Sequence, residues 1–399
     1  MIRPTHSDEK TSIIFFYSIA FLLTSFFFIP EKSFHFKLFI LFTAVSFPLM
    51  VYKGLCRWQI IYESRIFLFS SLFLAYSLLS LFWSAPERSS NILNPIKNIF
   101  YLVSFWFIFI FVFNSADHRL QFLIKWLIIV SSIAAATYAC YQYLYLDYPL
   151  TYRFKMPGPL LNEIRTAICL GSGALLCIAS LLYKPSNRNA TTTVLLLIAL
   201  TIFLTTLGLT HTRWAIAGTL FFCFIMVTLS QIETRNKILL IGGGIILLAI
   251  AGYFLAPLIG SYIERGQSYR LILWSGFLKE YQDYWLGHGL GTTIYIREGV
   301  MANWHSYHSV YLGALISTGI IGLTLLLLMI LTALTIGWKL RKNHYALAAS
   351  VLFTFACAMG AVNFDSVILR PRGYWLPFWV PLIVLSLYEL KSLRRKAAA

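Results

Sequence analysis

Three kinds of ionisable side chain stand at the edges of long apolar runs, where a membrane chain keeps charge only for a purpose. Arg213 interrupts the run from 191 to 229 in "LTHTRWAIAG", and Arg270 opens "RLILWSGFLKEYQDYWLGHGLGTT". His305 and His308 precede a third run in "HSYHSVYLGALISTGIIG", and Asp365 lies with Arg370 and Arg372 in "NFDSVILRPRGYW". An arginine offers a planar fork that binds phosphate bidentately. A histidine at the start of an apolar helix meets the positive end of the helix dipole, which disfavours imidazolium, and nearby arginines act the same way. Its ring is then neutral at pH 7 and free to take a proton. Together these groups suit chemistry in which a phosphate is held while a proton is taken up. Asp365 could orient the histidine or bind a sugar hydroxyl.

Each residue also has a structural reading. Arg213 could snorkel to lipid phosphates, although the small residues Ala215, Ala217 and Gly218 predict close helix packing that turns its guanidinium toward the bundle. Arg270 could be a solvated charge, either histidine could bond a loop carbonyl, and Asp365 could form one ion pair that fixes its loop. Metal binding is not indicated. His305-x-x-His308 has no neighbouring carboxylate or cysteine and lacks the four-residue helical spacing. The six cysteines are scattered, with no C-x-x-C pair, and read as small core residues. "GHGLG" lacks the strand and the Lys-Ser/Thr of a nucleotide-binding loop, so no nucleotide is expected; its glycines suit a sharp backbone turn beside the membrane.

The elements that must position these groups are membrane spans. The chain has 399 residues, 59% hydrophobic and 12% charged, against about 45–50% and about 25% for soluble domains. Apolar runs of roughly 20 residues recur from end to end, which predicts an all-α polytopic membrane protein, a single integral membrane domain over residues 1–399. Twelve spans are expected, centred near residues 20, 44, 74, 105, 130, 173, 201, 222, 247, 321, 353 and 381. The run from 191 to 229 is split in two at "THTRW", because an arginine at mid-bilayer costs about 2.5–3.5 kcal/mol. The first span, near Thr11–Ile29, reads as a retained helix rather than a cleaved signal peptide.

An even number of spans puts both termini on one side. Lys339, Arg341 and Lys342, with Lys391, Arg394, Arg395 and Lys396, mark that side as cytoplasmic. The opposite side then holds two loops, 259–307 between spans nine and ten, and 146–163 with three prolines and no regular structure expected. Within the first, Leu273, Trp274, Phe277, Leu278 and Tyr281 fall at helical spacing, which predicts an amphipathic interfacial helix ending near Trp285, with Arg270 and Trp274 on one face. The positive-inside bias is weak, because Arg153, Lys155, Arg165, Arg265, Lys279, Arg297, Arg370 and Arg372 join Arg213 and Arg270 on the outer side. The net charge of +17 therefore points to membrane lipids or an anionic substrate. No soluble basic domain exists to carry nucleic acid.

The order of these features resembles the O-antigen ligase/polymerase superfamily of bacterial envelope proteins. Its elements are an arginine opening a span in "LTHTRWAIAG", an arginine-bearing external helix ending in "YWLGHGLG", and a histidine followed by G-x-x-G in "HSVYLGALISTGIIG". The family's P-x-x-G-x-G-x-G has Tyr284 here in place of proline, and the shared stretch covers about residues 205–325. The resemblance implies a metal-independent, inverting glycosyltransferase of the GT-C type in the inner membrane, with no cofactor, working on the periplasmic face. The donor would be a glycan on undecaprenyl diphosphate and, for a ligase, the acceptor a sugar hydroxyl of lipid A–core. His308 would be the base, with Arg213 and Arg270 holding the diphosphate. Arg153, Arg265, His305, Tyr307, Asp365, Arg370 and Arg372 would line the substrates. Substrates that are themselves lipids lead one to expect a lateral opening between helices. Three alternatives stay open: an O-antigen polymerase using the same donor, a protein-directed oligosaccharyltransferase, and a flippase for lipid-linked oligosaccharide. The last predicts internal repeats and charges at mid-membrane, neither of which the sequence displays.

Overall fold

In a bilayer every backbone N–H and C=O must find its partner within the protein, and a helix satisfies that need inside one segment. The computed structural model describes residues 6–56, 58–85, 87, 90–114, 116–183, 190–254, 270–296, 304–368, 370–371 and 373–398. They form α1 (His6–Phe28), α2 (Lys32–Tyr52), the single turn α3 (Ile60–Glu63), α4 (Arg65–Leu79), α5 (Ser90–Phe113), α6 (Asp117–Cys140) and α7 (Glu163–Leu182). Then follow α8 (Ala190–Leu209), α9 (Arg213–Leu229), α10 (Thr234–Phe254), α11 (Arg270–Glu280), α12 (Val310–Lys339), α13 (His344–Asn363) and α14 (Trp375–Ala398). No strand occurs among the described residues. Ten of the helices are long and apolar enough to cross a membrane. All twelve expected span centres fall within helices; the two outside that set of ten lie in α9, which has 17 residues, and in α10. The chain is an all-α, multi-pass membrane protein.

The split of the 191–229 run is as expected. α8 closes with hydrogen bonds from the Thr210 and His211 N–H groups to Leu207 and Gly208 carbonyls, at 3.1 and 3.0 Å, and Thr212 precedes the new helix. His211 takes the left-handed conformation (φ 53°) that turns the chain back. α9 then packs on α7 and α13. The contact is close because the residues are small: a methyl group on Gly218 would meet Met359 Cε at 2.6 Å, and one on Gly171 would strike the Thr219 hydroxyl.

The glycine-rich loop explains itself through α12. Gly319 sits inside that helix at φ 66°, ψ −169°, a conformation that only glycine adopts readily, and the helix kinks there. The kink frees backbone groups that must be paired again. Loop 284–289 does this: His288 N–H donates to Ile316 O at 2.8 Å, Gly289 N–H to Ser317 O at 2.8 Å, and Ile320 N–H to Tyr284 O at 2.7 Å. Gly287 and Gly289 adopt φ of 70° and 84°, and a Cβ on either would enter neighbouring backbone, Ser317–Gly319 for the first and Ser84 for the second. The glycines are therefore a backbone plug for the broken helix, in keeping with a turn rather than a phosphate cradle.

α7, α9 and α12 begin, and α13 ends, at one end of the bundle. The 146–163 loop closes part of that end. It has only one turn of 3-10 helix, Gly158–Leu160, yet it is firmly seated: Phe154, Met156 and Leu160 are fully buried. Phe154 N–H donates to Leu209 O at 2.9 Å, and Met156 N–H to Thr166 Oγ1 at 3.0 Å. At the opposite end, the buried Glu389 carboxylate accepts from Ser64 Oγ at 2.7 Å and from the Arg65 and Ile66 N–H groups at 3.2 and 3.3 Å. It thereby caps α4 from α14.

Candidate active site

α12 begins with Ser309 as its N-cap, the side chain accepting from Leu312 N–H. Serine thus caps the helix, and His308 stands one residue outside it with the left-handed φ of 53°. Asp365, two residues beyond the end of α13, accepts the His308 N–H at 2.8 Å and fixes that turn. Ser306 Oγ donates to the same carboxylate, at 2.8 and 2.9 Å from its two oxygens. The hydroxyl has one proton, and an ionised carboxylate only accepts, so that proton belongs to Asp365. The oxygen lies 3.3 Å from His308 Nδ1 and is left to accept the ring N–H. This fixes the neutral imidazole with its lone pair on Nε2.

Electrostatics favour the neutral ring. Burial of the half-buried imidazole is the largest influence and lowers the His308 pKa from its ordinary 6.5. Arg270 lowers it further, while Asp365 opposes both. The direction is the one expected from sequence, but burial carries it rather than the helix end, because His308 sits outside the helix.

Arg270 opens α11, which ends at Glu280, a turn before Trp285. Beyond it, Tyr281 clasps the loop by donating its hydroxyl to Tyr295 O and accepting from Tyr295 N–H, both at 2.9 Å. Leu273, Phe277 and Tyr281 bury one side of α11 in a small cluster with Ile294, Ile296, Tyr307 and Ile316. Leu278 is 36% exposed, so it does not join them. Arg270 and Trp274 share a face, as their spacing predicted, and both serve the histidine segment. Arg270 Nη2 donates to Asn363 Oδ1 at 3.0 Å, and Trp274 Nε1 donates to Tyr307 O at 2.9 Å. Burial lowers the Arg270 pKa from 12.5, which leaves it a cation at neutral pH. Tyr307 is 7% exposed, with its ring 4.7 Å from Phe277. That packing supports His308 from behind.

Arg213 departs from the expectation of a buried guanidinium. α9 is closely packed through Ala215, Thr219, Phe222 and Met226, but Arg213 is exposed. At about 100° per residue, position 213 lies some 200° from 215, on the face turned away from the packed stripe. It still opens a helix at the same end of the bundle. Arg153 pairs with Glu163 at 2.6 Å and donates to Thr210 O at 3.3 Å, tying the 146–163 loop to the α8–α9 turn. His305 is exposed, its ring 5.6 Å from Tyr295. Arg370 turns to Asn94 Oδ1 at 3.0 Å and lies 5.1 Å from the Phe36 ring, so it is committed to α5 and α2 rather than to an ion pair with Asp365. Arg265 and Arg372 lie outside the described residues. Among the described residues no group of three or more His, Cys, Asp or Glu is placed to hold a metal.

Three residues absent from the sequence-based site belong with it. Ser306 links Asp365 to His308, and Asn363 holds Arg270. Arg165, in the first turn of α7, is close enough to Asp365 for the two charges to attract. Asn363 and Arg165 are polar groups at the ends of apolar runs, the one signal that could have drawn attention to them.

No family model matches the chain. It is 28% identical over 381 residues to the O-antigen ligase of Pseudomonas aeruginosa, covering 95% of this chain and 90% of that protein. The similarity runs well beyond residues 205–325 and bears out the resemblance to O-antigen ligases drawn from the motifs.

Proposed function

We propose that this protein is an O-antigen ligase of the bacterial inner membrane, with both termini cytoplasmic and its active site at the periplasmic end of the bundle, where α7, α9 and α12 begin. It transfers a polysaccharide from undecaprenyl diphosphate to a sugar hydroxyl of lipid A–core. The observation that carries this reading is the Ser306–Asp365–His308 arrangement beside Arg270, which presents a neutral Nε2 next to a cation.

The acceptor O–H gives its proton to His308 Nε2, and its oxygen forms the new bond to the anomeric carbon of the donor. The bond from that carbon to the diphosphate oxygen breaks on the opposite side, and the electron pair leaves with the diphosphate. One displacement inverts the anomeric centre. A base in this role contributes about 10²–10⁴-fold. Arg270 and Arg213 counter the charge that grows on the leaving group, so transfer is expected to persist in the presence of a chelator. Asp365 and Ser306 hold the base, and Asn363 holds Arg270. Arg213, exposed on α9, suits contact with a substrate that arrives through the lipid.

Deleting the gene and resolving the lipopolysaccharide on a gel tests the reading. A ligase deletion leaves bare core with long polymer stranded on the lipid carrier. Core bearing a single repeat unit would instead indicate a polymerase, and bare core with no external polymer a flippase.

A further inference from the structure

At the end of the bundle opposite His308 lies a cavity of about 430 Å³, between the ends of α7 and α9 and the α12–α13 turn. Its floor is apolar, with Leu182, Met226 and Leu347, and its rim carries Arg341, Lys342 and Asn236. Glu233 also lines it, engaged by Asn236 Nδ2 at 3.5 Å. Arg341 is held in advance of any ligand: its guanidinium lies 4.4 Å from the Trp338 ring centre, and Nη1 donates to Trp338 O at 2.9 Å. A cation fixed by stacking loses less freedom on binding an anion than a mobile one. Trp338 is 55% exposed at the end of a membrane-spanning helix, which marks the depth of the lipid headgroups.

We infer that this cavity binds one anionic glycerophospholipid, its phosphate against Arg341 and Lys342 and an acyl chain along the Leu182–Met226–Leu347 floor. The chemistry favours a lipid over a soluble phosphate. A free anion would use the two cations but leave the apolar floor in water, whereas a phospholipid covers both. Basic pockets between membrane helices take anionic headgroups on these grounds. The site is separate from the transfer chemistry, since the 20 residues of α13 set it about 30 Å from Asn363.

The test is native mass spectrometry of the full-length protein in detergent. Phosphatidylglycerol and phosphatidylcholine with the same acyl chains are added in turn, then soluble glycerol 1-phosphate. One phosphatidylglycerol should be retained in preference to phosphatidylcholine, with no binding of glycerol phosphate. Each cation near a headgroup is worth about fivefold, so Arg341→Gln with Lys342→Gln should weaken retention by about thirtyfold at an unchanged thermal midpoint. The exposed Lys342→Gln alone, which disturbs no packing, should weaken it by about fivefold. Equal retention of the zwitterionic lipid, undiminished retention by the variants, or binding of glycerol phosphate in place of the lipid would each overturn the assignment.

Discussion

Replacing Ser306 by alanine separates the orientation of the base from the base itself. The hydroxyl donates to Asp365 at 2.8 Å and stands 3.3 Å from His308 Nδ1, and in the proposed reaction it touches neither substrate. A hydrogen bond to a charged group contributes about 1.5–3 kcal/mol. Asp365 keeps the His308 N–H at 2.8 Å after the change, so the loss falls toward the lower end. The long Nδ1 contact adds at most about 1 kcal/mol. A total near 1.5–2.5 kcal/mol corresponds to a fall in kcat of about tenfold to seventyfold. KM should stay within about twofold, because the ground-state contacts to substrate are untouched. The assay is transfer by purified enzyme from a lipid-linked glycan to lipid A–core, with product followed on gels at varied acceptor. Ser306→Thr keeps the hydroxyl and should restore most of kcat. In a His308→Ala background the same change should have no further effect, since there is no ring left to orient. Undiminished kcat for Ser306→Ala, or a loss confined to KM, would refute the argument.

The pH profile carries a sign. A base works unprotonated, so transfer falls as pH drops through the His308 pKa, which lies below 6.5. Asp365 is the influence that raises it; Asp365→Asn should therefore move the acid limb of kcat/KM to lower pH, and a shift upward would contradict the assignment. Gly319→Ala places a methyl against the Trp285 carbonyl at φ 66° and should cost about 3 kcal/mol, read as a lower thermal midpoint in detergent. Glu389→Gln weakens the cap on α4 and should cost about 1–3 kcal/mol. Because Glu389 is at the far end from His308, transfer per folded molecule should be unchanged.

The spans were legible because hydrophobic runs and helix geometry obey one rule in a bilayer: the helix that pairs its own backbone is also the segment that hides it. The "THTRW" turn followed from the cost of an arginine at mid-bilayer. The shared face of Arg270 and Trp274 followed from their spacing of four. Contacts made across the fold were not legible. Ser306 meets Asp365 and Arg270 meets Asn363 across 59 and 93 residues, and nothing local in either segment announces its partner. Arg213 shows the other limit. Small neighbours reported close packing correctly, but the face that packs is set by Ala215 and Thr219, and position 213 points away from it. The helix end at Glu280 was decided by the Tyr281–Tyr295 clasp, again a contact between separate segments. The sequence put His308 at the start of the helix; the Ser309 cap, accepting from Leu312 N–H, leaves His308 just outside it, free for another use.

The most direct measurement reconstitutes the purified protein in liposomes with an undecaprenyl diphosphate-linked glycan and lipid A–core, and compares it with His308→Ala. The native protein should join glycan to core and release undecaprenyl diphosphate in equal amount, in the absence of any other protein. His308→Ala should insert and melt normally while losing at least a hundredfold in rate. Glycan joined only to other lipid-linked glycan, or full transfer by His308→Ala, would contradict the account.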